Sequence, residues 1–441
     1  MDFNHLTDHS HMLLYCGSPP VGRSKPFKFF NMWIKHEEFQ WLVTQSWGTR
    51  VNGSKQFSLC SKLKRLKPPL KTLNKNAFGH ISRRALEAKE EYRLIMKEVM
   101  ADPNNQALVD DAETKRKRAN LLLDAELEFY QQKAKCDFLM KYDRGTSYFD
   151  SLVKKNRKKH AISFFIKDDG TKTTSSDEVV GCFFEFYQNL FGTTPQVGPI
   201  VDEVLAPGAT VPESAHSRLL AMVTLEEVKD VVFDIGNEKA PGQDGFTAAF
   251  FKNQWSLVGQ DVYEAVAEFF ISWKLLKQIN HAMIVLIPKT VHNPSVKDFR
   301  PIACLNVLYK IITKILGKRM APLLSDLIDP AHGAFVQGRS LVDNLLLAQH
   351  LIKDYAIRRS TPSCMIKLDI TKAYDTVSWR FLEDVMLALG FPSRFVALVM
   401  ECVTSASSSI MVNGDSHGFF KSNRGLRQGD PMAPTLFLFC I

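Results

Sequence analysis

Asp369 stands alone in an apolar run, Met365-Ile366-Lys367-Leu368-Asp369-Ile370, as a carboxylate does when a buried strand carries it to the edge of a site. An isolated acid at a strand end has a plainer use as well, capping the helix that follows. Further on, Arg424-Gly425-Leu426-Arg427-Gln428-Gly429-Asp430-Pro431 sets two planar cations and an amide among glycines. Close backbone approach plus planar donors suits a ligand carrying a base, a sugar and phosphates. Upstream, Lys289 and Arg300 flank a short loop, and Lys310, Lys314 and Lys318 recur every four residues. A phosphate track and a solvated helix face explain that stripe equally well.

These residues need elements to position them. The run 365–370 reads as a strand, Thr371 to Asp375 as a turn, and Trp379, Leu382, Val385, Met386 and Leu389 as one helix face closed by Gly390. Ser407 to Val412 and Gly418 to Lys421 read as strands joined at Asn413-Gly414. Asp430 and Pro431 form a cap and first-turn pair for a helix through Leu436 and Phe439. Met283 to Ile287 forms a strand ending at Pro288-Lys289. A helix then turns Leu305, Leu308, Ile311, Ile312, Ile315 and Leu316 inward.

The 441-residue chain is 45% hydrophobic, which excludes wholesale disorder. No segment approaches the ~18 consecutive apolar residues of a membrane span, and the N-terminus lacks a signal peptide's plan. Eight scattered cysteines with no C-x-x-C pair point to a reducing intracellular compartment. The 56 Lys+Arg against 47 Asp+Glu give a net charge of +9, a lean toward a polyanionic partner.

That charge is uneven. Ser54 to Arg84 holds nine basic residues and no acid, with Leu63, Leu66, Leu70 and Leu73 at helical spacing and a break expected at Pro68-Pro69. Residues 85–141 read as long solvated helices, an antiparallel pair turning at Asp102-Pro103-Asn104-Asn105. A basic run, 154–160, closes the region. A charged helical hairpin and a nucleic-acid surface both fit this composition. Beyond it, Ile162 to Ile166 reads as a strand, Asp168-Asp169-Gly170 as a turn, and Ser176 as the cap of a helix to Leu190. Residues 193–215, rich in Pro, Gly, Thr and Val, read as a linker.

Five blocks occur in order: Lys239-Ala240-Pro241-Gly242-Gln243-Asp244-Gly245-Phe246, Ile287-Pro288-Lys289, Phe299-Arg300-Pro301-Ile302, Lys367-Leu368-Asp369-Ile370-Thr371-Lys372-Ala373-Tyr374-Asp375 and Arg427-Gln428-Gly429-Asp430-Pro431. Together they resemble the reverse transcriptase of non-LTR (LINE-type) retrotransposons, most like those of plants. The resemblance is strong over 223–441. It implies an α+β fold, a right-hand polymerase with fingers and an incomplete palm, preceded by a mostly helical basic linker (51–160) and a pre-polymerase segment (161–222). The stretch Lys141 to Phe149 looks like the region before the polymerase in these elements. Residues 1–50, with Leu6-Thr7-Asp8-His9 and Pro26-Phe27-Lys28-Phe29, resemble the last strands of their endonuclease, an exonuclease–endonuclease–phosphatase-type domain. There Asp8 and His9 match catalytic positions.

By the same resemblance, Asp369 matches the first catalytic carboxylate, binding divalent ions, usually Mg²⁺, with Ile370 as the adjoining backbone. Tyr374 matches the aromatic beneath the sugar, and Asp375 a structural acid at the helix start. Gln428 and Gly429 match the loop lining the incoming deoxynucleoside triphosphate, with Arg427 assisting. Lys289 and Arg300 match bases that hold triphosphate or template. Pro241, Gly242, Gly245 and Lys310 would lie along the template. The implied partners are an RNA template, a DNA primer and dNTPs, with no membrane, and a nuclear location would suit an element that copies itself into chromosomes. The family also uses two adjacent aspartates beyond the Gln-Gly-Asp-Pro block, and no Asp-Asp pair follows Asp369 here. The expectation is a polymerase by descent that is inactive as this chain, with Leu368, Val412, Leu436 and Phe439 lacking partners. A group II intron maturase-like polymerase and a non-catalytic nucleic-acid-binding protein are the alternatives.

Overall fold

A computed structural model of the protein describes residues 26–134, 151–156, 161–162, 164–167, 169–194, 198, 208–289, 295–353 and 364–441. Asp8 and His9, the stretch 141–149 and most of the basic run 154–160 lie outside them. No helix among the described residues is long and apolar enough to cross a membrane.

The N-terminal half is helical: α1 (Glu37–Trp47), α2 (Lys55–Leu73), α3 (Ile81–Ala101) and α4 (Gln106–Ala134). Ser54 caps α2, its hydroxyl accepting from Phe57 N. Pro68 and Pro69 do not break this helix, contrary to the sequence expectation. They remove two backbone donors, but Leu59, Leu63, Leu66, Leu70 and Leu73 are all buried along the same side. Burial of each leucine gains about 1.5–3 kcal/mol, enough together to offset the lost hydrogen bonds. α3 and α4 form the expected antiparallel hairpin, turning at 102–105 and bridged by Arg118 to Glu91 and by Ser82 to Tyr130.

Residues 26–47 show a 3-10 turn (Asn31–Lys35) and α1 in place of the expected strands. Phe29 N donates to the Gly245 carbonyl, and Phe27, Phe29 and Trp33 pack into a ring cluster with Phe246 and Phe250. This segment therefore shares its core with the C-terminal half.

A four-stranded sheet runs in the order β2-β1-β3-β4, with β1 (His281–Pro288), β2 (Phe299–Cys304), β3 (Ser407–Val412) and β4 (Asp415–Lys421). β1 pairs antiparallel with β2 and parallel with β3, while β3 and β4 form a hairpin. Its two turn residues, Asn413 and Gly414, both take positive φ (51° and 96°), as a twisted hairpin requires. Helix α5 (Ser176–Gly192) covers one face. Its Val179, Phe183, Tyr187 and Phe191, each four apart, meet Ile284, Leu286, Phe299, Ile410, Val412 and Phe420. The cap is Ser175, one residue before the expected Ser176, accepting from Glu178 N. The stretch Ile162 to Ile166 is a strand only in the Ile166–Lys172 bridge. Ile162 instead pairs with the Asn413 side chain, which both accepts from its N–H and donates to its carbonyl. The described residues of the expected linker before Glu213 form no helix or strand, and a helix, Glu213–Leu219, takes in its last three positions.

α6 (Leu225–Asp234), α7 (Trp255–Ser272) and the buried α8 (Val307–Met320) pack on one another, with α7 also against α2. Every inward residue expected of α8 is buried. α9 (Leu341–Lys353) keeps its leucines exposed. α10 (Trp379–Ala388) ends at Gly390 (φ 82°), where Phe391 N and Gly390 N donate back to the Met386 and Leu387 carbonyls. α11 (Ser393–Thr404) and α12 (Ala433–Leu438) complete the fold.

Residues 364–370 are exposed and form no regular secondary structure, because no neighbouring backbone among the described residues pairs with them. Leu368 is 85% exposed. Val412, Leu436 and Phe439, also expected to lack partners, are buried, Val412 beneath α5 and Phe439 against Phe391.

Phe183 sits edge-on to Phe299 (4.9 Å between centroids) at the α5–sheet junction. Phe183→Ala should lower the unfolding free energy by about 3–5 kcal/mol in urea titration, whereas Phe164→Ala, at an exposed position, should change it by less than about 0.5.

Candidate functional site

Two segments distant in sequence are laced together at the site. After Lys372, held at φ 53°, a short helix (Ala373–Thr376) presents its backbone to the loop that follows β4. Leu426 N donates to the Tyr374 carbonyl (2.7 Å) and Gly425 N to that of Val377 (2.8 Å). Trp379 Nε1 donates to the Gly425 carbonyl (2.8 Å), and Gln428 Nε2 to Asp375 Oδ1 (3.3 Å). Gly425 has φ 88°, and a Cβ there would press on the Asp375 carbonyl, so this crossing needs glycine. Tyr374 lies stacked on Phe437, 4.4 Å between centroids.

The loop is fixed from beneath. Arg427 donates to the Asn280 carbonyl (3.1 Å), Asn280 Oδ1 (2.6 Å) and the Cys402 carbonyl (3.2 Å), with its guanidinium over the Tyr309 ring. Asp430 is buried. It accepts from Tyr309 Oη (2.6 Å) and from Met432 N (3.0 Å), so the turn it caps precedes α12, which starts at Ala433 and not at Pro431 as expected. Ala303 N donates to the Gln428 carbonyl, and Gly429 (φ 109°) lies against the Ala303 carbonyl.

The electrostatics centre on Asp375, only 3% exposed. Burial raises its carboxyl to about 6, against the pull of Lys372, the Gln428 hydrogen bond and Lys289. Burial also lowers the Lys372 ammonium. Asp375 attracts it, while Lys289 and Lys297 repel it. Its Nζ stands 3.9 Å from the centre of the Phe186 ring. Lys372 and Lys289 therefore act on this buried carboxylate, and Lys297 acts on Lys372. A cavity of about 30 Å³ between Asp375, Gln428, Tyr309 and Asp430 leaves room for about one water molecule.

Tyr374, Gln428 and Gly429 thus come together as expected in space, with Lys289 in the same field. Arg300 is exposed on β2 opposite Ile287. Asp369 and Ile370 are exposed in the segment before Lys372, and the Asp369 side chain makes no hydrogen bond or ion pair among the described residues. Four other expectations are corrected. The Arg427 guanidinium is held by internal carbonyls. Lys310 is buried, donating to the Ala240 carbonyl (2.6 Å), so it faces no template. Lys314 and Lys318 bind Asp234 (3.0 and 3.1 Å), which makes the stripe a clamp between α8 and α6. Gly242 and Gly245 are buried packing points: a Cβ would collide with the Leu305–Asn306 backbone at one and the Phe27 carbonyl at the other. Pro241, half-buried beside them, shares that setting. Sequence reasoning missed Lys297 and gave Lys372 no role. The signal for Lys372 was its place between Asp369 and Asp375.

Among the described residues no three His, Cys, Asp or Glu side chains gather to hold a metal ion. Asp369 is a single exposed carboxylate beside the Ile370 carbonyl, and alone it does not fit the pair of Mg²⁺ ions that the resemblance implies.

Residues 287–441 match the family described as reverse transcriptase (RNA-dependent DNA polymerase). The chain is 29% identical over 310 residues to the Transposon TX1 uncharacterized 149 kDa protein of Xenopus laevis, covering 70% of this chain and 24% of that protein. It is 31% identical over 204 residues to the Retrovirus-related Pol polyprotein from type-2 retrotransposable element R2DM of Drosophila melanogaster, covering 45% of this chain and 18% of that one. Against the RNA-directed DNA polymerase from mobile element jockey, also of Drosophila melanogaster, it is 27% identical over 235 residues, 49% of this chain and 24% of that protein. The chain thus spans about a quarter or less of the length of these relatives. Over 287–441 the chain is therefore similar to reverse transcriptases, and these relatives are proteins of transposable elements.

Proposed function

We propose that the chain supplies the fingers and part of the palm of a reverse transcriptase, one of plant type on the blocks quoted from its sequence. In this role it holds an RNA template, a DNA primer and the incoming dNTP beside Asp369. The observation that carries this reading is the pair Lys289 and Lys372 acting on Asp375, next to the Gln428–Gly429 loop. A triphosphate brings several negative charges, and ammonium groups held close together by the fold repel one another until such an anion arrives. Arg300, exposed on β2, extends the basic surface toward a template or a triphosphate. The flat Tyr374 ring, stacked on Phe437, offers a face for the sugar. Asp375 balances part of the lysine charge and holds the Gln428 amide in one orientation.

Lys372→Ala or Lys289→Ala should each weaken dTTP binding, read by equilibrium dialysis, roughly three- to tenfold, as the loss of one charge-assisted contact. Unchanged affinity in both would sink the assignment. The purified chain should bind oligo-primed RNA yet incorporate no labelled dNTP with Mg²⁺, since Asp369 alone does not fit the ion pair. Incorporation above background would refute that inactivity, and failure to bind primed RNA at low salt would refute the polymerase reading.

A pH dependence follows from Asp375. Its folded-state value of about 6 lies above the usual ~3.9, so the fold favours the protonated form. The stabilisation is complete below about pH 4 and is lost as pH rises through 6, on the order of 2 kcal/mol. Half-buried Asp244, also raised to about 6 by burial, acts in the same window, so the two must be separated by mutation. Relative to the parent protein, Asp375→Asn should gain on the order of 2 kcal/mol between pH 4 and pH 7 in urea titrations. A constant difference across that range would show that Asp375 does not titrate there.

A further inference from the structure

The sheet has a second face, and it carries a cavity that the polymerase reading leaves unused. Ser408, Ile410, Val412 and Phe420 point under α5, so Ser407, Ser409, Phe419 and Lys421 point the opposite way. There, at the first residue of β1, a cavity of about 330 Å³ opens, lined by His281, Ser407, Ser409, Phe419, Lys277 and Lys421, with Gln243 and Gln278 at its rim. Lys289 lies at the far end of β1, roughly 25 Å along the strand, and the Asp375 cavity opens on the α5 side.

Small side chains on β3 create the shape. Ser407 and Ser409 leave room for the His281 ring to lie across β3 and run parallel to Phe419 on the edge strand, 7° between planes and 5.7 Å between centroids. Both imidazole nitrogens exchange hydrogen bonds with serine hydroxyls, Nδ1 with Ser407 and Nε2 with Ser409, each at 3.0 Å. The ring is therefore locked in orientation. Burial, with Arg427 repulsion behind it, moves its pKa below the ordinary histidine value, so the platform is neutral at pH 7. Phe419 is 59% exposed, an unfavourable place for a large aromatic unless something stacks on it. Lys277 and Lys421 carry no ion pair among the described residues.

We propose that this cavity is a stacking shelf for an unpaired nucleobase of a single-stranded polynucleotide. Phe419 takes the base face, Lys277 and Lys421 take the flanking phosphates, and the Gln243 and Gln278 amides meet the base edge. An aromatic platform with cations at its mouth is the arrangement by which single strands are held without sequence preference. The length of the ligand follows from the surroundings. Gln278 also hydrogen-bonds the Cys60 thiol of α2, and Asp244, next to Gln243, attracts Lys67. Lys67 lies on α2 within reach of Lys64 and Lys71, which repel it, so the cations continue along the helix beyond what one mononucleotide spans. The site stands apart from the nucleotide-binding residues assigned above, and a binding assay tests it without nucleotide incorporation.

Fluorescein-labelled oligouridine and oligothymidine, titrated into the full chain at low and moderate salt and followed by anisotropy, supply the test. Phe419→Ala should weaken binding about tenfold, Phe419→Trp should retain it, and Lys277→Gln with Lys421→Gln should flatten the salt dependence by about 0.7 per lysine. Phe419 is an exposed edge residue, and matching thermal melts would show that the variants fold. A Phe419→Ala loss with both oligomers supports the shared base-and-phosphate chemistry, while a loss with one alone assigns RNA or DNA. Equal binding by parent and Phe419→Ala would overturn the proposal. So would an absence of binding by either oligomer, or an equal loss of affinity for a duplex, whose bases cannot stack on a shelf.

Discussion

Arg427 is a permanent cation placed where water barely reaches. Protein meets it with three hydrogen bonds, to the carbonyls of Asn280 and Cys402 and the side chain of Asn280, and with Asp430 at 4.0 Å. Those partners come from the residue before β1 and from the end of α11, while Tyr309 of α8 supplies the ring above the guanidinium and the hydroxyl that binds Asp430. One side chain thus joins the loop after β4, the sheet and the central helix. Removing one partner of a buried charge costs about 3–5 kcal/mol, so these elements cannot slide separately. The Gln428–Gly429 backbone stands above this anchor, and its position is inherited from it.

With the loop fixed, the rest of the site has little freedom. Gly425 must cross directly over the Asp375 carbonyl, because Leu426 and Gly425 donate to Tyr374 and Val377 on either side. That crossing closes Asp375 away from water and raises its pKa. The lysines cannot all pair with this single carboxylate, and the surplus of positive charge at the surface is what an anionic ligand would relieve. A positional constraint beneath the loop has become an electrostatic property above it.

Legibility in the sequence followed a simple division. Elements specified by their own residues could be read: the buried side of α8, the Asn413-Gly414 hairpin, the α3–α4 turn and the Gly390 helix end each need only local pattern. Elements specified by a partner could not. Residues 365–370 have a strand's composition, but a strand exists only when a second backbone accepts its hydrogen bonds. The double proline in α2 failed as a break for the converse reason, since burial of its leucine side outweighed the local penalty. In the candidate site the five blocks brought Tyr374, Gln428 and Gly429 into one region, while Arg427, Lys310 and the two glycines turn out to be held by internal carbonyls or tight packing. Whether an arginine or a buried glycine serves a ligand or the frame depends on which carbonyls surround it, and those come from distant residues.

The same division changes how the net charge should be interpreted. A chain with nine more basic than acidic residues invites a nucleic-acid reading of every basic cluster. Many of those cations are already occupied: Lys55 by Glu264, Lys62 by Asp261, Lys314 and Lys318 by Asp234, Arg319 by Glu227 and two carbonyls, and Lys310 by Ala240. A cation held by an internal partner releases no counterions when a polyanion arrives, because its charge is already compensated. Some of the lysines left over gather beside the sheet. Lys289 and Lys372 lie near Asp375 on the α5 side, and Lys277 and Lys421 flank the Phe419 shelf on the other, with Lys64 and Lys71 continuing along α2. The informative quantity is therefore the charge that remains after pairing, and it marks two faces of one sheet where an anion has a place to go.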